Sequence, residues 1–335
     1  MKIYYLIPDI DRKKLKVLNL IKSIVKFRCI DYLKKTIFRK PKPCGGVKVI
    51  LQHCELLKEM GFDANAVSLA DFEDLFFGYK YNIDRLSDIR KSLNPNDVIV
   101  IPEIIQNHAK FFPNQKKVLF AQTWSVLYDN CAHVDQIIYG SYKEAGYDYV
   151  MTCSDFISKS LVKCDNDITV QINNFIDHSI FFENPSVRVR NRVLFLPRKN
   201  KSDVEYIAKG ISHLPVEIVY ADGLTQEQLV LEYQKSDFFI PTGYPEGFGL
   251  PPLEAMSCGC IVIGFTGKGA DEYMIHKETA LVSKDGDVAD VVQNIVEVFN
   301  QEDVKNTLRK NGLKISKKYN VEQTKHQLND FYMRF

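Results

Sequence analysis

Twice along this chain, short apolar runs alternate with amphipathic stretches of helical period. That pattern leaves few folds open beyond parallel strands joined by crossover helices. In the first half the strand candidates are KIYYLI, ANAVSL, VIVI, KVLFAQ, YVMTC and ITVQI. Helices are expected at GGVKVILQHCELLKEMG, with Gly61 as its stop, and at SDFISKSLVK, with Ser154 as its cap. Near Asn174 the pattern lapses: NNFIDHSIFFENPSVRVRN is polar and irregular, contains Pro185, and reads as a linker. A second alternation follows. RVLFLP, VEIVYAD, DFFIPTG and CIVIGF are strands. SDVEYIAKGIS, TQEQLVLEYQKS and PLEAMSC are the helices between them, the second opened by a capping box of Thr225 and Gln228. DVADVVQNIVEVFNQ, EDVKNTLRKNGLKISKKY and NVEQTKHQLNDFYMRF complete it as helices. The expectation is an α/β chain of two Rossmann-like domains, 1–178 and 179–320. A last helix at 321–335 is open to crossing back to the first domain. Two such halves place a ligand crevice between them, at the carboxyl ends of the strands.

Composition narrows the class. A length of 335 residues suits two ordinary domains, and 45% hydrophobic with 26% charged residues is globular rather than disordered. No apolar run reaches the roughly 20 residues that span a bilayer. The amino-terminal MKIYYLIPDIDRKK has its charges after the apolar run and no small-residue cleavage site, so no secretory signal is expected. The eight cysteines form no CxxC pair; reduced thiols in a cytoplasmic protein without structural zinc are the reading, and Cys258 and Cys260 are taken as small buried residues. Charge is uneven. Between Asp11 and Pro43, twelve Lys and Arg face two acids, a net of +10, which leaves −8 for the rest of a chain whose net charge is +2. Such asymmetry points to an anionic partner.

The stretch YPEGFGLPPLEAMSCGC, Tyr244 to Cys260, carries the chemistry. Read as strand, loop and helix, it has Gly247 and Gly249 for positive φ and close backbone approach, and Pro251 and Pro252 for a first helical turn. The N–H groups of Gly249, Leu250 and their neighbours then form an anion site at the positive end of the helix dipole, suited to a diphosphate. Glu254 is placed in the first turn, within reach of hydroxyls beside the phosphate. Glu246 lies across the loop, toward the far end of the ligand. Two carboxylates around one phosphate cradle suggest a ribose on one side and a hexose on the other, that is, a nucleotide sugar.

EGFGLPPLEAMSCGCIVIGF resembles the Glu-x7-Glu motif of the retaining family 4 glycosyltransferases, which have the GT-B fold. LTQEQLVLEYQKSDFFIPTGYPEGFGL resembles that family's helix, strand and donor loop, NNFIDHSIF its linker, and CGGVKVILQHCELLKEMGFDANAV its first glycine-rich loop and helix. The resemblance implies that Glu246 contacts the donor sugar near the reacting carbon. The backbone of Gly247, Phe248, Gly249 and Leu250 would hold the diphosphate and sugar, and Glu254 the ribose. It also implies an Arg and a Lys that neutralise the leaving diphosphate. In LPRKNKSDV, Arg198 fits the first; Lys201 fits the second, with Lys199 as its rival, in a loop about two residues shorter than the family's and with Pro197 in place of a glycine. Gly45 and Gly46 would face the donor from the first domain. For the first-domain histidine that some relatives carry, His108 and Glu103 are equal candidates. The implied reaction is retaining sugar transfer from a nucleoside-diphosphate sugar to an acceptor hydroxyl, by a front-face mechanism with no covalent enzyme intermediate, no obligate metal and no cofactor. The implied setting is bacterial surface polysaccharide, lipopolysaccharide or capsule synthesis. The alternatives are another GT-B activity, a sugar phosphorylase or nucleotide-sugar epimerase, or a non-catalytic nucleotide-sugar-binding partner subunit.

Three Asp-x-Asp triplets, Asp9–Asp11, Asp165–Asp167 and Asp285–Asp287, are read as turn formers and caps, and no metal is assigned to them. KVLNLIKSIVKF, within residues 11–43, reads as an amphipathic helix with a basic polar face. Docking of 11–43 on an anionic membrane surface, contact with a saccharide or lipid-linked saccharide acceptor, or simple packing on the first domain all remain open readings. Nucleic acid is not expected, since no recognised binding module accompanies the patch.

Overall fold

The computed structural model describes residues 1–8, 45–69, 75–76, 79–80, 83–128 and 140–335. The basic segment 11–43 and the Asp9–Asp11 triplet lie outside the described residues. The first domain is a seven-stranded sheet in the order β5-β2-β1-β6-β7-β8-β9. Its strands are β1 (Ile3–Ile7), β2 (Ala64–Ser68), β5 (Ile83–Arg85), β6 (Val98–Pro102), β7 (Lys116–Ala121), β8 (Tyr149–Thr152) and β9 (Thr169–Gln171). Every pair in it is parallel. A two-stranded antiparallel ladder, β3 (Leu75–Phe76) with β4 (Tyr79–Lys80), stands apart from it. The helices are α1 (Gly45–Glu59), the short α2 (Leu86–Ile89) and α3 (Asp155–Ser160), with a 3-10 segment at Glu103–Phe111.

The second domain is a five-stranded parallel sheet, ordered β11-β10-β12-β13-β14. It comprises β10 (Arg192–Phe195), β11 (Glu217–Tyr220), β12 (Phe238–Ile240), β13 (Ile261–Phe265) and β14 (Leu281–Ser283). Its helices are α4 (Lys201–Gly210), α5 (Gln226–Lys235), α6 (Leu250–Ser257), α7 (Val288–Val298) and α8 (Glu302–Ser316). The central strands read as unbroken apolar runs because both faces are covered. On β10, Val193 and Phe195 pack into one buried cluster while Leu194, between them, joins the cluster on the opposite face. Phe239 on β12 and Val262 on β13 do the same. That second cluster is continuous with the core of the first domain, so α6 and the 246–249 loop are seated on apolar surface shared by both sheets.

The capping box at α5 is present: the Thr225 hydroxyl accepts from Gln228 N and Gln228 Oε1 accepts from Thr225 N. Thr225→Ala is expected to cost about 1 kcal/mol of stability, read as a shift in the urea midpoint with no change in slope. The last helix, α9 (Val321–Tyr332), lies against the first domain. Tyr332 donates its hydroxyl to that of Tyr5 at 2.8 Å, Thr324 donates to Asn173 O at 2.9 Å, and Lys325 pairs with Glu59 at 3.0 Å.

Candidate active site

A cavity of about 310 Å³ opens between the two sheets at the carboxyl ends of their strands. Gly45 and Gly46 at the amino end of α1, together with Gln122 after β7, line it from the first domain. Opposite them stand Arg198 and Lys199 after β10 and the loop from Glu246 to Leu250. The amino ends of α1 and α6 meet here: a side chain at position 45 would touch Leu250 Cδ1 at 3.9 Å. Both helices aim the positive ends of their dipoles at one space.

Two glycines make the loop what it is. Gly249, at φ +81°, is the N-cap residue of α6 and turns the chain into Leu250, with Pro251 in the first turn. Gly247 is set by proximity rather than by dihedral angle: a Cβ there would fall 1.8 Å from the carbonyl oxygen of Gln122. Glu246 N donates to Gly267 O at 3.0 Å, and Tyr273 donates its hydroxyl to Phe248 O at 3.2 Å, so the loop is braced from behind.

The basic loop resolves the choice of cavity-facing lysine. Asn200 adopts a left-handed conformation (φ +50°) and its amide donates to Thr242 O at 2.8 Å and Tyr244 O at 3.1 Å. Lys199, before this turn, lines the cavity and donates to Glu246 Oε1 at 2.8 Å and Pro245 O at 2.7 Å. Lys201, after it, is the first residue of α4, exposed, and not among the cavity-lining residues. Arg198 lines the cavity and is exposed, with no ion pair among the described residues.

Glu254 departs from its expected position. It is the fifth residue of α6 and so stands in the second turn, not the first. It is buried and outside the cavity lining. Lys48 on α1 donates to its Oε1 at 3.2 Å and the Tyr233 hydroxyl to its Oε2 at 3.4 Å. The first of these is an ion pair between the domains, with both side chains largely shielded from solvent.

Neither first-domain candidate lines the cavity. His108 bonds through Nδ1 to Ile105 O and Asn107 Oδ1, and partial burial lowers its pKa. Glu103 is buried at the end of β6; its Oε1 accepts from Thr123 N at 2.9 Å, its Oε2 has no partner among the described residues, and burial pushes its pKa up to about 7. Thus Glu103 braces the backbone that presents Gln122. Sequence reasoning passed over Gln122, Asn174 and Thr242, which line the cavity. Gln122 had a readable signal as the polar residue ending the apolar run KVLFA. The remaining Asp triplets are turn and cap residues: Asp165 accepts from Tyr142 N and Lys143 N, and Asp287 caps α7. Cys258 and Cys260 are buried, with thiol pKa values raised by burial.

Residues 200–315 match the family described as glycosyl transferases group 1. The chain is 22% identical over 182 residues to an uncharacterized glycosyltransferase of Methanocaldococcus jannaschii, a match covering 54% of this chain and 47% of that protein. A 118-residue stretch is 30% identical to the serotype-specific mannosyltransferase WbdA of Escherichia coli, covering 35% of this chain and 14% of WbdA. These matches therefore span half or less of the relatives' lengths. An alpha-1,6-glucosyltransferase of Actinobacillus pleuropneumoniae is 23% identical over 252 residues, 68% of this chain and 70% of the relative. Among solved structures, HepE of Anabaena, in complex with UDP and glucose, superposes with a TM-score of 0.69 at 14% identity, covering all of both chains. Sucrose-phosphate synthase of Thermosynechococcus elongatus gives 0.69 at 14%, covering 99% of this chain and 98% of that one. The fold is GT-B, two Rossmann-like domains about a cleft. Among the described residues no helix is long and apolar enough to cross a membrane.

Proposed function

We propose that this chain is a retaining glycosyltransferase that takes a sugar from a nucleoside-diphosphate donor and transfers it to an acceptor hydroxyl. One observation carries the reading: a single interdomain cavity gathers Glu246, the 247–250 backbone, Arg198, Lys199, Gly45 and Gly46. A diphosphate lies between the amino ends of α1 and α6, where N–H groups and helix dipoles favour anions. Arg198 and Lys199 add fixed cations where charge builds as the nucleoside diphosphate departs. Lys199 takes the neutralising role, since Lys201 points its stretch of chain into α4. Glu246, held by Lys199, faces the sugar hydroxyls. Glu254 binds the ribose once the nucleotide displaces or shares its contact with Lys48. The match to group 1 over 200–315 and the UDP-bound structure of HepE support this reading. A saccharide or lipid-linked saccharide is the acceptor class, with surface-polysaccharide assembly as the setting.

A thermal-shift series with UDP, GDP, dTDP and ADP tests it. The matching nucleotide at 100 times its Kd stabilises by about 2.7 kcal/mol, and four flat curves would sink the reading. Lys199→Met is expected to weaken binding of the matching nucleoside diphosphate about tenfold and leave binding of the bare nucleoside unchanged, measured by calorimetry.

A further inference from the structure

We propose that Ser154 is the positioning residue through which closure of the two domains sets the 246–249 loop. The inference rests on the reading of that loop as the donor cradle. Ser154 ends the turn after β8 and is fully buried. Its hydroxyl does two things at once. It accepts from Ile157 N at 3.2 Å, capping α3, and it donates to Gly247 O at 2.6 Å, across the domain boundary. A hydroxyl is the small group able to accept one bond and donate the other from a single atom. Among the described residues, no other donor is bonded to the Gly247 carbonyl.

The surroundings make this bond a clasp rather than an incidental contact. Position 247 is pressed on the Gln122 carbonyl and lies near Ile157 Cδ1, so the loop backbone is embedded in the first domain. The neighbouring Asp155 N donates to Glu272 Oε2 at 2.9 Å, a second bond from the same turn to the other domain. Glu272 lies one residue before Tyr273, whose hydroxyl holds the Phe248 carbonyl. Residues 154 and 155 thus grip the loop and the segment that braces it. Cys153 and Gln122, beside the clasp, line the cavity with Gly247. When the domains part, the Gly247 carbonyl loses its donor and the N–H groups of the cradle lose their fixed aim. Ser154 acts on the ligand only through the loop.

Hydrogen exchange on the full chain separates the clasp from the cap. Glycine at an N-cap costs only a few tenths of a kcal/mol, so Ser154→Gly keeps α3 while removing the hydroxyl. Peptides covering 246–253 are expected to exchange about tenfold faster in Ser154→Gly, the size of one lost buried hydrogen bond. Ser154→Thr, which keeps the hydroxyl, is expected to restore the parent rate within about threefold. Peptides from β6 to β8 and β10 to β13 stay at parental rates in both. Unchanged loop exchange in Ser154→Gly overturns the proposal. So does uniform acceleration that includes the sheets, or failure of threonine to rescue while the sheets stay protected. The UDP, GDP, dTDP and ADP series on the parent is independent of this result: flat binding with a loop-specific exchange change refutes the donor reading and leaves the clasp standing.

Discussion

Alanine at position 247 is expected to lower sugar transfer about a hundredfold or more while both sheets stay folded. The added Cβ would lie 1.8 Å from Gln122 O, 2.7 Å from Gln122 C and 3.1 Å from Ile157 Cδ1. The first two are backbone atoms immediately after β7, which cannot rotate aside as a side chain would. Gly247 has no positive φ, so alanine can adopt its conformation; the penalty is the collision alone. Relief comes from parting the domains or displacing the loop by more than about 1 Å, and a misplacement of that size costs about 10² in rate. The Ser154–Gly247 bond is lost in either case. Transfer would be assayed with the nucleotide identified by thermal shift, alongside small-angle scattering. The expected pair of results is lost turnover and a larger radius of gyration, with a cooperative urea transition retained in the variant. A variant that transfers at the parental rate would show that the cavity does not depend on this contact.

The parts of the architecture legible in the sequence were those written in periodic pattern. Strands β10, β12 and β13 are buried on both faces, so their apolar runs are continuous and bounded by turns. The strands β5 and β14 and the β3–β4 ladder, two or three residues each, went unread because none of them stands within a longer apolar run such as the one that carries β12. The 246–250 loop was legible because glycine and proline have positional meaning at a helix mouth. Glu254 was misplaced by a turn because α6 begins already at Leu250, ahead of the expected PLEAMSC, and the orientation of its carboxylate depends on Lys48, 206 residues away. No local signal encodes such a partner. The choice between Lys199 and Lys201 did have one: Asn200 before a helical pattern is a residue that tolerates the left-handed turn separating the two lysines. Ser154 was read as a cap, and the cap is there; its second bond, to a carbonyl 93 residues distant, belongs to tertiary structure alone.

Glu103→Gln is expected to change how stability depends on pH by about 3 kcal/mol between pH 4 and pH 8. Burial raises the Glu103 pKa from 4.5 to about 7, because the carboxylate is desolvated and the hydrogen bond from Thr123 N only partly offsets that cost. A folded-state pKa above the unfolded value means that the native chain holds the proton more tightly. The stability contributed is fully present below pH 4.5 and is lost as pH rises through about 7. The span from 4.5 to about 7 corresponds to about 3 kcal/mol. Glutamine keeps an oxygen for Thr123 N and has no proton to lose, so the variant gains on the parent by that amount as pH rises. The comparison must be a difference between two curves. His53 is buried with its pKa lowered from 6.5 to about 3, and it gives the opposite slope: unfolding takes up a proton below pH 6.5, so its share of stability grows as pH rises toward that value. That background is common to parent and variant and cancels. Urea unfolding at pH 4.5, 6 and 8 measures the difference; parallel curves would mean that Glu103 is not desolvated as its burial requires. The same titration bears on the cavity. The Thr123 amide that Glu103 holds follows Gln122 directly, so ionisation of a buried carboxylate with no cation beside it among the described residues destabilises the turn that supplies the first domain's polar wall, just where Gly247 must press against it.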